Sequence, residues 1–161
     1  MRDCEVTVAT KAVIQEQLKK ERLLNRITHQ LHDARDLDEI LLYLKDEIIA
    51  LFDAERITVY GVDTEKREIF SKVKEGDEVR EIRVVLGKTS VAGHTAVSGK
   101  TFNVTNVYDA NELQKLDPAL TFDAQWDELT GFKTRQLLSG PILYNGKYLK
   151  GVLEVINKVG A

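Results

Sequence analysis

Asn145-Gly146 narrows the folds open to this chain more than any other pair of residues. An Asn-Gly dipeptide is the strongest short hairpin signal a sequence carries, and here it joins QLLSGPILY to YLKGVLEVI, two runs rich in strand formers. The sequence therefore closes on two long antiparallel strands. The same period of two appears earlier. Ile57 and Val59 oppose Thr58, Tyr60 and Val62, a turn-forming DTEK follows, and Ile69, Ser71 and Val73 alternate with Phe70 and Lys72. This predicts a second hairpin, and Gly76-Asp77 turns the chain into a further strand from Val79 to Leu86.

Helical spacing governs the first third. From Lys11 to His32 there is no Gly or Pro, and Ile14, Leu18, Leu24, Ile27 and Leu31 form a narrow apolar stripe, interrupted by charge after Leu18. The first half of this helix is expected to project where a partner helix can cover it, or else to lie on its own domain. Asp36 and Glu39 make a capping-box-like start to a second helix, marked by Leu37, Ile40, Leu41, Leu44, Ile48, Leu51 and Phe52. TSVAGHTAVSG reads as a short helix of small residues closed by Gly99, and Thr101 to Val104 as a brief extended piece. Residues 105–133 carry few strand signals and include Asp117-Pro118, so they read as a long, partly helical excursion. The whole is an α+β domain around a mostly antiparallel sheet. A boundary near residue 22 separates an N-terminal helical extension, 1–22, from a domain of 23–161.

Composition removes several function classes. Twenty-three basic and 26 acidic residues, net charge −3, are spread without a basic block, which disfavours nucleic-acid binding. No apolar run approaches the roughly 20 residues of a membrane span, so no membrane insertion is expected. One cysteine, Cys4, and a start without a signal-peptide core fit a reducing cytoplasm. Gly87-Lys88-Thr89 copies the tail of a phosphate-binding loop, but Ile82 stands where that loop needs its first glycine. His29 and His32 share a helix face near Asp33 and Asp36 without the further ligands a metal needs, so they read as solvent-exposed and no metal is expected. His94, beside Gly93, reads as packed or exposed. With no serine elbow, no HExxH and no histidine paired to Cys4, catalysis has no home and no catalytic residue is assigned.

Three segments, GKTSVAGHTAVSGKTFNVTNVYD, LTFDAQWDELTGFKTRQLLSGPI and NGKYLKGVLEVINK, resemble the GAF domain family in order, spacing and residue type over residues 23–158. The resemblance is to the GAF domains of cyclic nucleotide phosphodiesterases and bacterial cyclases in particular. Phe122, Asp127, Thr130, Gly131, Phe132, Thr134, Arg135, Asn157 and Lys158 fill the family's Phe-x4-Asp-x2-Thr-Gly-Phe-x-Thr-Arg and Asn-Lys pattern. It implies a sheet of about six antiparallel strands with helices on both faces and a pocket under the short helix and the long loop. By that resemblance Thr58, Ser90, Val91, Ala92, Asp127, Thr130, Thr134 and Glu154 are ligand-binding positions, while Phe122, Gly131, Phe132, Arg135, Asn157 and Lys158 are structural. A helix starting near Thr89-Ser90 aims N–H groups at an anion, so a cyclic phosphate fits there. Two positions depart from the nucleotide-binding pattern. Lys74 and Glu75 stand where an aromatic ring would stack on a base, and Asp123 replaces another pocket aromatic.

The resemblance implies a non-catalytic sensory or regulatory domain. It would bind a small ligand, with cyclic AMP and cyclic GMP as candidates, and signal to an output domain of a longer parent chain. The N-terminal helix implies a homodimer. The competing expectation is a ligand-free GAF module for interaction and dimerisation, in which Asp127 and Thr130 brace a turn and Arg135 and Asn157-Lys158 hold the loop to the sheet. A sulfoxide reductase of GAF-like fold needs reactive cysteines, which Cys4 alone does not provide.

Overall fold

The computed structural model describes residues 2–33, 42, 45–75 and 77–159, with side chains except at 2–7, 28, 30–33 and 73–75. In chain order the elements are α1 (Arg2–Asp33), α2 (Lys45–Phe52), β1 (Ala54–Asp63), β2 (Glu68–Glu75), β3 (Glu78–Val85), α3 (Val91–Ser98), β4 (Phe102–Val104), α4 (Ala110–Leu116), α5 (Gln125–Thr130), β5 (Leu137–Tyr144) and β6 (Tyr148–Lys158). The capping-box start at Asp36 and Glu39 lies outside the described residues, and α2 is the described part of that second helix.

The strands form one antiparallel sheet in the order β3-β2-β1-β6-β5-β4. Both central residues of the β5–β6 turn adopt positive φ, 51° at Asn145 and 66° at Gly146, the geometry whose twist matches that of paired strands. The ladder between β1 and β2 covers only Gly61–Asp63 against Glu68–Phe70, while β2 pairs β3 along its full length. Side-chain alternation divides the sheet. Ile57, Val59, Leu153 and Val155 face α1 and α2 and pack with Leu23, Ile27 and Ile48. Tyr60, Ile69 and Val152 face the other way, against Ala92 and Ala96 of α3. A third cluster joins Val91, Phe102, Val107, Leu113, Leu120, Leu137 and Ile156, so the first turn of α3 and the excursion share one core with the end of β6.

The apolar stripe of α1 departs from its sequence reading at Leu24, while the Leu31 side chain lies outside the described ones. Leu23 and Ile27 meet the domain, whereas Leu24 is 50% exposed, as are Ile14 at 52% and Leu18 at 47%. The spacing 24-27-31 is as helical as 23-27, and only packing against Ile48 and Ile57 distinguishes them.

Candidate functional site

The face of the sheet under α3 carries a row of buried polar groups. Thr58 on β1 and Ser139 on β5 are both register partners of Glu154 on β6, so three polar residues lie side by side across three strands. Glu154 and Ser139 are buried and Thr58 half-buried. The Ser139 hydroxyl bonds Thr95 Oγ1 of α3 at 2.8 Å, and the Tyr60 hydroxyl donates to Glu154 Oε2 at 3.4 Å. Glu154 projects between Val152 and Ile156, the sheet's contributions to the two clusters that α3 covers. Burial pushes its carboxyl up to about 7, the Tyr60 hydrogen bond opposing that only in part. Burial and the neighbouring Glu154 raise the Tyr60 phenol well above its ordinary value.

The helix above begins as its sequence predicts. Ser90 is the N-cap of α3, its Oγ accepting from Gly93 N at 3.0 Å, and Val91 and Ala92 are buried beneath. Gly93 permits this start to approach the preceding loop. A Cβ there would lie 2.6 Å from the Val85 carbonyl oxygen and 2.9 Å from that of Gly87. His94 is buried against the Phe102 ring, centroids 5.4 Å apart, with Nε2 3.3 Å from Asp117 Oδ2 at the C-cap of α4. Asp117 is held down to about 2, first by the Ala119 N–H and then by His94.

The excursion folds through side-chain caps that its sequence carries locally. Asp109 caps α4, accepting from Asn111 N and Glu112 N, and Glu112 reaches back to the N–H groups of Thr105 and Asn106. Asp127 of α5 accepts from the Tyr108 hydroxyl at 2.6 Å, from Thr134 N at 2.7 Å and from Thr134 Oγ1 at 2.7 Å. The Tyr108 phenol is pushed up to about 12 chiefly by that hydrogen bond. Thr130 Oγ1 turns back to the Trp126 carbonyl within the same helix, and the Asp123 carboxylate accepts from Gln125 N. Gly131, at φ 68°, ends α5. Beyond it, Phe132 lies under the Arg56 guanidinium at 3.9 Å.

Asn157 fastens the end of the excursion to the sheet. Its Oδ1 accepts from Arg135 N at 2.7 Å and Gln136 N at 3.1 Å, and its Nδ2 donates to Lys133 O and Glu55 Oε2. Arg135 adds an ion pair to Glu55. Lys158 is exposed, its backbone N–H donating to Gln136 Oε1.

The expected ligand positions thus fall into separate sets. Thr58 and Glu154 adjoin on the floor, Ser90, Val91 and Ala92 open the covering helix, and Asp127 and Thr134 bind each other within the excursion and its return to β5. Lys74 and Glu75 sit at the end of β2, four or more residues past its last partner on β1, and their side chains lie outside the described ones. Tyr60, Thr95, Ser139 and Tyr108 were not among the expected positions. Alternation already placed Tyr60 on the Thr58 face, whereas the pairings of Thr95 with Ser139 and Tyr108 with Asp127 have no local signal. Among the described residues no group of three His, Cys, Asp or Glu side chains could hold a metal ion, and no helix is long and apolar enough to cross a membrane.

A family model described as "GAF domain" matches residues 20–160. The chain is 27% identical over 162 aligned residues to a protein described as "Probable 3',5'-cyclic phosphodiesterase pde-5" of Caenorhabditis elegans, an alignment covering 90% of this chain and 21% of that protein. It therefore spans about a fifth of that relative's length. Among solved structures, the GAF domain of a phosphoenolpyruvate-protein phosphotransferase from Coxiella burnetii matches 88% of this chain and 79% of its own at TM-score 0.63 and 18% identity. The free methionine-R-sulfoxide reductase of Neisseria meningitidis matches 86% of this chain and 73% of its own at TM-score 0.61 and 19% identity, so the fold is also used by an enzyme.

Proposed function

The chain belongs to the GAF domain family, and on that premise we propose that it is a sensory, non-catalytic regulatory domain that binds a small molecule between α3, the excursion and the sheet. The observation that carries this reading is the floor. A sheet face that only had to fill a core would be apolar, yet Thr58, Tyr60, Ser139 and Glu154 converge there, with Tyr60, Ser139 and Glu154 buried. Hydroxyls and a carboxyl in an otherwise apolar setting are what the edge of a purine asks for. Cyclic AMP and cyclic GMP are the candidate ligands, a choice supported by the similarity to a cyclic phosphodiesterase. Two acidic side chains, Glu154 and Asp127, would repel a cyclic phosphate if both stood bare and charged, but their surroundings reduce that repulsion. A Glu154 carboxyl titrating near 7 keeps a substantial neutral fraction near neutral pH, and in that form it can donate a hydrogen bond. Asp127 meets three donors, which offset its negative charge.

In this reading Ser90, Val91, Ala92, Asp123, Thr130, Lys74 and Glu75 border the ligand. Residues 1–22 form an extension to a GAF unit of 23–161, pairing of α1 gives a cytoplasmic homodimer, and the signal passes to an output domain of a longer parent. Thermal denaturation with cyclic AMP, cyclic GMP and a metabolite panel tests it. A ligand at 100 times its Kd stabilises by about 2.7 kcal/mol, a shift of several degrees. Thr58→Val and Glu154→Gln should abolish that shift. A second reading, a ligand-free interaction and dimerisation module, is favoured by the exposed Val13, Ile14 and Leu18 of α1. No shift with any compound, together with a persistent dimer, would decide for it.

A further inference from the structure

α5 differs from the other described helices in having no buried residue, with Leu129 78% and Trp126 45% exposed. A helix of six residues has too few hydrogen bonds to stand alone, so something outside it must hold it in place. Its own bonds, Glu128 N to Ala124 O, Gly131 N to Asp127 O and Thr130 Oγ1 to Trp126 O, are internal. Gln125 N and Thr130 Oγ1 otherwise bond only the adjoining Asp123 and Phe132. Among the described residues, the hydrogen bonds that carry α5 to more distant parts of the chain are those of the Asp127 carboxylate, bound by Tyr108 and Thr134.

Both partners of that carboxylate belong to a fixed frame. Thr134 is 5% exposed and directly precedes the Arg135 and Gln136 N–H groups clamped by Asn157. Tyr108 follows Val107, which is buried and donates its N–H to Arg135 O at 2.9 Å. The two flanks of α5 are also anchored, since Phe122 and Phe132 both pack on the cluster of Val91, Val107 and Ile156. Between these anchors the chain turns at Ala124 and at Gly131, which is left-handed and where an added Cβ would meet no atom within 4 Å.

We propose that α5 is a hinged flap between the seated Phe122 and Phe132 and that Asp127 is its catch, with the Tyr108 hydroxyl and Thr134 as the keeper. This rests on the ligand-binding reading for what the flap would admit. Opening breaks the three bonds to one carboxylate, while Phe122 and Phe132 stay seated and the sheet is undisturbed. Tyr108 and Asp127 are then positioning residues, setting how often the flap opens.

The test needs no ligand. Amide hydrogen exchange is followed in the full 161-residue chain and in its Tyr108→Phe and Asp127→Asn variants, alongside acrylamide quenching of Trp126, the only tryptophan in the sequence. Loss of a hydrogen bond to a charged group should speed exchange at the Glu128, Gly131 and Thr134 amides by about tenfold or more. The Val107 and Asn157 amides should keep their wild-type rates and Trp126 should become easier to quench. Unchanged exchange at Glu128, Gly131 and Thr134 in Tyr108→Phe, the milder change, overturns the proposal. So does acceleration that spreads equally to Val107 and Asn157, which would make the contact a general brace. Because neither result involves a nucleotide, the flap can fail while ligand binding stands, and the reverse.

Discussion

Glu154 links a single residue's environment to a measurable pH dependence. Its folded value of about 7 lies above the 4.5 of an ordinary glutamate, so between these values the folded chain keeps a proton that the unfolded chain has released. Its contribution is fully present below pH 4.5 and is lost as pH rises through 7, amounting to about 3 kcal/mol across the window. Asp117, held down to about 2, and Asp63, lowered by the Lys66 N–H and Arg83, act in the opposite sense on the acid side of the ordinary carboxylate range, so their windows do not overlap that of Glu154. Urea unfolding should therefore find the protein more stable at pH 5 than at pH 8. Glu154→Gln should remove most of that decline, and equal slopes in the two proteins would show that the carboxyl is not held neutral. The residue's place on a strand was legible in the sequence, as was the side it shares with Val152 and Ile156, because period two is local. Its protonation was not, since that depends on burial under elements from elsewhere in the chain, which outweighs the opposing hydrogen bond from Tyr60.

At the scale of elements, what the sequence disclosed follows the range of the interactions. Asn145-Gly146 announces β5 and β6, and Ser90 with Gly99 brackets α3, because turn and cap chemistry lie within a few residues. α4 and α5, of seven and six residues, are too short for periodicity to declare, and the excursion reads only as partly helical. Its attachment is set by Asn157, more than 20 residues beyond the backbone groups it clamps. That residue is 2% exposed and satisfies two N–H groups and two oxygens at once. Asn157→Ala leaves these groups short of partners and should cost about 3 kcal/mol in chemical denaturation. Asn157→Asp separates the two halves of the clamp. It keeps the acceptors for Arg135 and Gln136, loses both donations and sets a second carboxylate against Glu55. It should be at least as destabilising near neutral pH and recover in part when acidified. If both variants melt like the wild type, the excursion is held by its Phe122 and Phe132 contacts instead.

For the whole molecule, the two faces of the sheet have separate tasks. Polar groups lie under α3, while on the opposite face α1 and α2 close an apolar core around Ile57 and Val59. α1 reaches well beyond that core: Val13 is 64% exposed, Ile14 52% and Leu18 47%, whereas Ile27 is 4% exposed. One helix therefore both completes the domain and presents aliphatic side chains to solvent, an arrangement a second copy would relieve by burying them. Leu18 also borders a groove of about 670 Å³ between α1 and α2, rimmed by Lys19, Arg22 and Arg26, so the exposed half has a shaped surface beside it. Self-association and stability should then separate by position. Ile14→Glu with Leu18→Glu should shift the chain from dimer to monomer in sedimentation at micromolar concentration, while the unfolding of the isolated domain changes by no more than about 0.5 kcal/mol, as for surface substitutions generally. Ile27→Ala should do the reverse, costing about 2–5 kcal/mol of stability through the cavity it leaves against Ile48 and Ile57. A wild-type chain that sediments as a monomer at these concentrations would remove pairing of α1 as the route by which a flap on one face of the sheet could act on a neighbouring protomer through the helix on the other.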